Sequence, residues 1–236
     1  MPALSPGATI GVAAISGHVD GAKLDAGIAR LSSLGYRVRE ASNLRRRHGD
    51  FAGDDSERAE AYRALVADPE VEAIFFARGG WGAARILDLL DADEIAARPK
   101  IHMGGSDLTT LFAYLHAHAR LVCFHGPMVA VDFARSDPDR ATEEGWQAVL
   151  AGVPQEIPLA PAQIVRPGSA SAPVVGGCLS MLVALEGTPE AVATAGRIVF
   201  WEDVHEEIYR LDRMLTQWKR AGRFDGVAGV IIGTLE

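Results

Sequence analysis

The first half of the chain alternates short apolar runs with segments whose apolar residues recur at helical spacing. Residues 9–15 form an apolar run closed by Ser16-Gly17, which predicts a strand and a turn. Over 20–34, Leu24, Ile28, Leu31 and Leu34 fall at roughly helical spacing, and Gly35 ends the helix. Residues 36–40 read as a second strand. From 55 to 67, Ala59, Tyr62, Leu65 and Val66 share one helical face, with Asp68-Pro69 as the stop. The run VEAIFFA at 71–77 is a buried-strand signal, followed by a glycine-rich turn at 78–82 and a helix over 83–90. A strand at 101–104, a helix at 108–118 and a strand at 121–124 continue the series. Such βα alternation predicts a parallel sheet with helices on both faces.

The texture changes near residue 150. Residues 151–173 hold Pro154, Pro158, Pro161, Pro167 and Pro173 with Gly152 and Gly168, and show little helical periodicity. Beyond them come Gly176-Gly177, a helix-like apolar stretch at 179–185, a strand at 197–201, a helix at 206–220 and a strand at 227–232. The expected fold class is therefore α/β. A parallel-sheet α/β domain spans 1–150, linker or edge segments 151–173, and a smaller C-terminal mixed or β domain 174–236.

Composition narrows the chemistry. A chain of 236 residues that is 48% hydrophobic and 23% charged is ordinary for a globular protein. Its formal charge of −8 repels phosphate backbones, so nucleic acid is not an expected partner. Cys123 and Cys178 show neither metal-ligand spacing nor a disulfide framework, and a reducing compartment suits them. No apolar run approaches membrane-spanning length, and no basic segment precedes the first one; the expected location is the cytoplasm. His116 and His118, two apart on a helix, point to different faces, and H-E-x-x-H spacing is absent; no metal or cofactor is expected.

Two turns carry candidate chemistry. In Ile101-His102-Met103-Gly104-Gly105-Ser106-Asp107-Leu108, a short strand enters two glycines, a serine and then a helix. That order suits a nucleophile elbow, with the Asp107 amide placed to donate to an oxyanion. Leu108 stands where G-x-S-x-G has its last glycine, and the same residues also suit a helix cap made by Ser106 or Asp107. The turn Arg78-Gly79-Gly80-Trp81-Gly82 allows close approach of main chain to a ligand and could supply a second amide near Gly80; a tight turn with Trp81 as packing is the plainer alternative.

Seven segments, in order, carry a family resemblance: FAGD at 51–54 with Arg58, ARGGWG at 77–82, GGSDLTTL at 104–111, FHGPM at 124–128, GGCLSML at 176–182 with Gly187-Thr188-Pro189, WEDVHEEIYRLDRML at 201–215, and GVIIG at 229–233. Together they resemble the LD-carboxypeptidases, bacterial serine peptidases that include the microcin C self-immunity peptidases.

The resemblance implies a class I glutamine-amidotransferase-like N-terminal domain and an active site in a groove between the domains. It implies a Ser-Glu-His triad with Ser106 as nucleophile and Glu202 as acid, and an oxyanion hole from the amides of Asp107 and Gly80. Arg78, Gly79, Trp81 and His125 are then candidate substrate-binding residues. Gly105 stands where the family often has an aromatic residue, and Trp81 where it often has tyrosine. The family histidine lies past the GVIIG strand, whereas no histidine here follows His205; the expectation is a C-terminal domain truncated at Glu236, with its histidine beyond. His102, His125 and His205 are poor substitutes for it.

The implied substrate is a murein tetrapeptide losing its terminal D-alanine, and the implied assembly a homodimer. The alternatives are a microcin-immunity-like amidase on the same triad and a non-catalytic muropeptide-binding module.

Overall fold

The computed structural model describes residues 3–137 and 139–235. It divides into two compact units that meet in sequence between Val153 and Pro154.

In the first unit, the strands are β1 (Thr9–Ala13), β2 (Arg37–Glu40), β3 (Val71–Phe76), β4 (Ile101–Gly104) and β5 (Phe124–His125). The helices are α1 (Gly21–Ser33), α2 (Asp55–Ala67), α3 (Ala92–Ala97), α4 (Leu108–His118) and α5 (Arg140–Leu150). The sheet order is β2-β1-β3-β4-β5, and every pairing is parallel. A parallel sheet buried on both faces needs strands without a polar side. The burial pattern of β3 meets this: Ala73, Ile74, Phe75 and Phe76 are wholly buried, each large apolar side chain contributing roughly 1.5–3 kcal/mol relative to exposure.

Helix starts follow from local chemistry. The Asp20 side chain accepts from the Lys23 amide at 2.9 Å at the head of α1. Asp54 and Glu57 form a reciprocal capping box on α2, satisfying amides that the first turn otherwise leaves unpaired.

Four local expectations shift. Residues 83–89 form a 3₁₀ helix, tightened by bonds such as Arg85 N to Gly82 O at 3.1 Å. The strand expected at 121–124 is reduced to β5, because the Leu121 amide turns back to Leu115 O at 3.1 Å. The helices α3 and α5 were not foreseen. The second is anchored by Trp146 and Leu150, one turn apart and buried, and capped by Asp139 on the Thr142 amide.

The second unit begins with a largely exposed segment whose regular structure is a 3₁₀ turn at Pro161–Gln163. It continues as β6 (Val174–Cys178), α6 (Leu179–Ala184), β7 (Ile198–Asp203), α7 (Ile208–Arg220) and β8 (Gly229–Leu235). The expected smaller sheet domain is present, its three strands ordered β6-β7-β8 and parallel throughout. Its core is built around Trp201, Trp218 and Phe224, packed edge to face with centroids 5.9–6.4 Å apart, over Leu179, Leu182 and Val199.

His102 on β4 is wholly buried, bonded to the Tyr62 hydroxyl at 2.9 Å and the Lys100 carbonyl at 2.9 Å. Burial disfavours the imidazolium and lowers its pKa from 6.5 to about 4. The unfolded chain therefore binds the extra proton. The stability from neutral His102 is complete above pH 6.5 and is lost as pH falls toward about 4. The thermal midpoint should decline over that window. His102→Gln should be less stable at pH 7 but decline less steeply with acid; equal slopes for the two proteins would rule out His102 as the source.

Candidate active site

The sheet order fixes where a site can form. From β1 the chain moves outward to β2, then returns to the other side for β3 and beyond, so the order reverses between β1 and β3. Beyond the carboxyl ends of strands flanking such a reversal, the connections part and leave a crevice. Three turns leave the sheet there: Ser16-Gly17 after β1, Arg78–Gly82 after β3 and Gly105–Asp107 after β4.

Ser106 sits at the tip of the third turn with φ +57°, a left-handed conformation that an L-residue rarely adopts without a compensating constraint. Its side chain is half-buried. Asp107 occupies the start of α4, yet its carboxylate makes no capping bond to the helix. Instead it is buried, and its Oδ2 accepts from the Ser16 hydroxyl at 2.6 Å and the Ala83 amide at 2.9 Å. The capping alternative thus fails for Asp107. Leu108, the departure from the elbow pattern, is wholly buried in the core.

Against Ser106 lies the Arg78–Gly82 turn. A Cβ placed on Gly79 would stand 2.9 Å from Ser106 Cβ, 3.0 Å from its Oγ and 3.2 Å from the Asp107 amide nitrogen. Only a residue without a side chain lets main chain come this close to the hydroxyl. Gly80, the next residue, has φ +109° and is exposed. The Gly79 carbonyl accepts from the Gly17 amide at 3.2 Å, and the Arg78 guanidinium donates to the His18 carbonyl at 3.2 Å, fastening this turn to the one after β1. Trp81 is 54% exposed and rests on Phe51, ring centroids 5.3 Å apart, with the Arg85 guanidinium over both rings.

A residue whose role sequence reasoning left unassigned supports this turn from below. Arg58, wholly buried, donates from Nη1 to the carbonyls of Ile15 and Gly82, and from Nη2 to Asp55. Its guanidinium stands 4.9 Å from the Phe51 ring centroid. Arg85 holds Asp55 from the other side, and its hydrogen bonds are the main cause of the lowered Asp55 pKa. The sequence signals for Arg58 were its place after the FAGD segment of the family resemblance and its three-residue spacing from Asp55 on one helix.

His125, at the end of β5, is exposed, and its ring edge lies 3.4 Å from where a Cβ on Gly105 would stand. The glycine at 105 therefore leaves room for this imidazole beside the serine turn. His102 is committed to Tyr62 and Lys100, as described above.

In the second unit, Glu202 lies near the end of β7, half-buried, in register with Cys178 of β6. Gly233 of β8 passes so near that a Cβ there would stand 2.9 Å from Glu202 Cβ. The following Asp203 is buried; its Oδ2 accepts from the Ser180 amide at 2.7 Å, and its Oδ1 from the Cys178 thiol at 3.6 Å. Burial raises the Cys178 thiol to about 11, so it stays protonated and able to donate. His205 is exposed with φ +62°. Among the described residues, no group of three or more His, Cys, Asp or Glu side chains is placed to hold a metal ion. No helix there is long and apolar enough to cross a membrane.

Residues 10–126 match the LD-carboxypeptidase N-terminal domain, and residues 171–236 the LD-carboxypeptidase C-terminal domain. The chain belongs to the LD-carboxypeptidase family. A probable murein peptide carboxypeptidase of Bacillus subtilis is 37% identical over 232 residues, which is 98% of this chain and 73% of that protein. Among solved structures, a muramoyltetrapeptide carboxypeptidase from Oxalobacter formigenes superposes with a TM-score of 0.85 at 29% identity, over 97% of this chain and 77% of that one. The microcin C7 self-immunity protein in complex with aspartyl sulfamoyl adenosine gives 0.89 at 26% identity, over 100% of this chain and 80% of that one.

In this LD-carboxypeptidase, Gly79→Ala should displace either the Ser106 side chain or the turn facing it. A misplacement near 1 Å at a reacting group costs roughly a hundredfold in rate. On the reading that Ser106 is the nucleophile, its phosphonylation by a fluorophosphonate should slow by about that factor, while Gly168→Ala, with nothing within 4 Å of the new carbon, should react as the parent does. Unchanged labelling of Gly79→Ala would show that the close approach does not constrain the hydroxyl.

Proposed function

We propose that this protein is a serine carboxypeptidase of murein peptide processing, with Ser106 as its nucleophile. One observation carries the assignment: Ser106 stands in left-handed backbone at the end of a central strand, with Gly79 main chain against its hydroxyl. Backbone strain of this kind is kept where surrounding structure holds a reactive group in place.

The substrate on this reading is a murein tetrapeptide, cut at the amide between an L-configured centre and its terminal D-alanine. The Ser106 oxygen attacks the carbonyl carbon as its proton passes to a general base, a histidine by family likeness. The amides of Asp107 and Gly80 donate hydrogen bonds to the negatively charged tetrahedral oxygen. Collapse breaks the C–N bond, the imidazolium protonates the departing D-alanine amine, and water then releases the acyl-enzyme. Glu202 orients the imidazole and stabilises its charged form. Arg78, Trp81 and His125 bind the peptide, and the exposed Trp81 face offers apolar contact beside the turn. Cys123 and Cys178 are thiols not joined in a disulfide, which suits a reaction carried out in the cytoplasm. A homodimer is part of the same proposal, by family likeness.

A second substrate class has its own support. The likeness to the microcin C7 self-immunity protein, whose complex holds aspartyl sulfamoyl adenosine, extends over 100% of this chain. Aminoacyl sulfamoyl nucleotides are therefore the alternative substrates.

The full-length gene product should release D-alanine from murein tetrapeptide, and Ser106→Ala should lower kcat at least about a thousandfold. Glu202→Gln should cost less than Ser106→Ala, as loss of the orienting acid does in other triads. Preferential cleavage of acyl sulfamoyl nucleotides would select the second class. Equal rates for Ser106→Ala and the parent would overturn the hydrolase assignment and leave a binding module.

A further inference from the structure

In each unit, the residue to which the chemistry is assigned is followed by a buried aspartate that turns away from it. Ser106 and Glu202 are half-buried; Asp107 and Asp203 are 3% and 4% exposed. Asp107 stands at the start of the helix after β4 and Asp203 at the end of β7, and each carboxylate reaches sideways to a turn that leaves another strand. Asp107 Oδ2 gathers the Ser16 hydroxyl after β1 and the Ala83 amide after the Arg78–Gly82 turn. Asp203 gathers the Ser180 amide and the Cys178 thiol where β6 passes into α6, together with the Val204 amide at 3.0 Å.

The donors around both carboxylates are uncharged hydroxyl, thiol and amide groups. Taking a carboxylate out of water against such donors is costly, and local turn geometry alone does not require it. Acceptance of a charged hydrogen bond is stronger and more directional than a neutral one, so each carboxylate fixes the distance between two turns that no covalent bond joins. At Asp107 one of the two turns is the one whose Gly79 lies against the Ser106 hydroxyl, and the other is bonded to it through the Gly17 amide. At Asp203 the fixed element is the strand end that presents Glu202.

We propose that Asp107 and Asp203 are positioning residues: the Asp107 carboxylate holds the Arg78–Gly82 turn in register with Ser106, and the Asp203 carboxylate holds the Glu202 side chain in its working orientation. The role is separate from the amide of Asp107, which any residue at that position would offer. It rests on Ser106 and Glu202 being the reacting residues proposed above.

The test uses the full-length protein with D-alanine release from murein tetrapeptide. Asp107→Ala should lower kcat roughly ten- to a hundredfold, because the Arg78–Gly82 turn moves relative to the serine, and KM should rise by less, because His125 lies on a different element. Asp107→Asn keeps an oxygen able to accept from Ser16 and Ala83, and it should recover most of that loss. Should Asp107→Ala fail to fold, Ser16→Ala removes one donor and should lower kcat in the same direction by less.

For the second residue, Asp203→Ala should lower kcat in the parent but add little in a Glu202→Gln background, since it acts through Glu202. Two results would overturn the proposal: kcat within about twofold of the parent for Asp107→Ala and Ser16→Ala, or an Asp203→Ala loss that is the same in both backgrounds. Ser106→Ala is measured alongside. Parent-level activity there would remove the nucleophile, and with it anything to be positioned, whereas a dead Ser106→Ala with intact Asp107→Ala would sink the positioning role alone.

Discussion

A serine hydroxyl becomes useful only if donors stand where its tetrahedral adduct will place negative charge, and main chain can stand there only where no side chain intervenes. A Cβ on Gly79 would stand 3.0 Å from the Ser106 hydroxyl, so only a glycine there lets the facing turn lie against it. Much of the first unit serves to maintain it. Arg58 draws the carbonyls of Ile15 and Gly82 onto one guanidinium nitrogen, and Asp107 draws Ser16 and Ala83 onto one carboxylate oxygen. The turns after β1, β3 and β4 are thereby tied by opposite charges placed at different points along them.

Burying charge for this purpose is unusual in a small domain, because desolvation opposes it unless every group is bonded. The surroundings meet most of that demand. Arg58 has Asp55 and two carbonyls besides the Phe51 ring face, and Asp55 is in turn held by Arg85. The same Arg85 lies over Trp81, so the exposed indole and the buried cation are parts of one connected cluster. A change at Trp81 is therefore felt by the turn through Arg85.

Parallel architecture explains why chemistry gathers on this edge. Every strand of the first sheet runs the same way, so every strand-to-helix turn leaves from the same edge. The reversal of order between β1 and β3 opens a crevice there, and the glycines of the second and third turns let main chain approach it. The second unit uses the same device on a smaller scale, with Glu202 and Asp203 at the end of its central strand.

Hydrophobic periodicity was enough to read most of the architecture, because buried strands such as 71–76 and amphipathic helices such as 55–67 announce themselves within a single segment. The glycine pairs and the serine after a short strand marked the candidate turns for the same local reason. What stayed hidden was set by partners far apart in sequence. Asp107 could equally have capped its own helix, and only its distance from Ser16, ninety-one residues away, shows that it does not. Arg58 stood out only through its place after the FAGD segment, and nothing along the chain showed that folding would enclose it beneath the Gly82 carbonyl. His102 was legible as a packing residue but not as one bonded to Tyr62. Helix and strand formation depend on neighbours along the chain, whereas the direction in which a polar side chain turns depends on which donors the completed sheet brings within 3 Å, and that no run of residues encodes by itself.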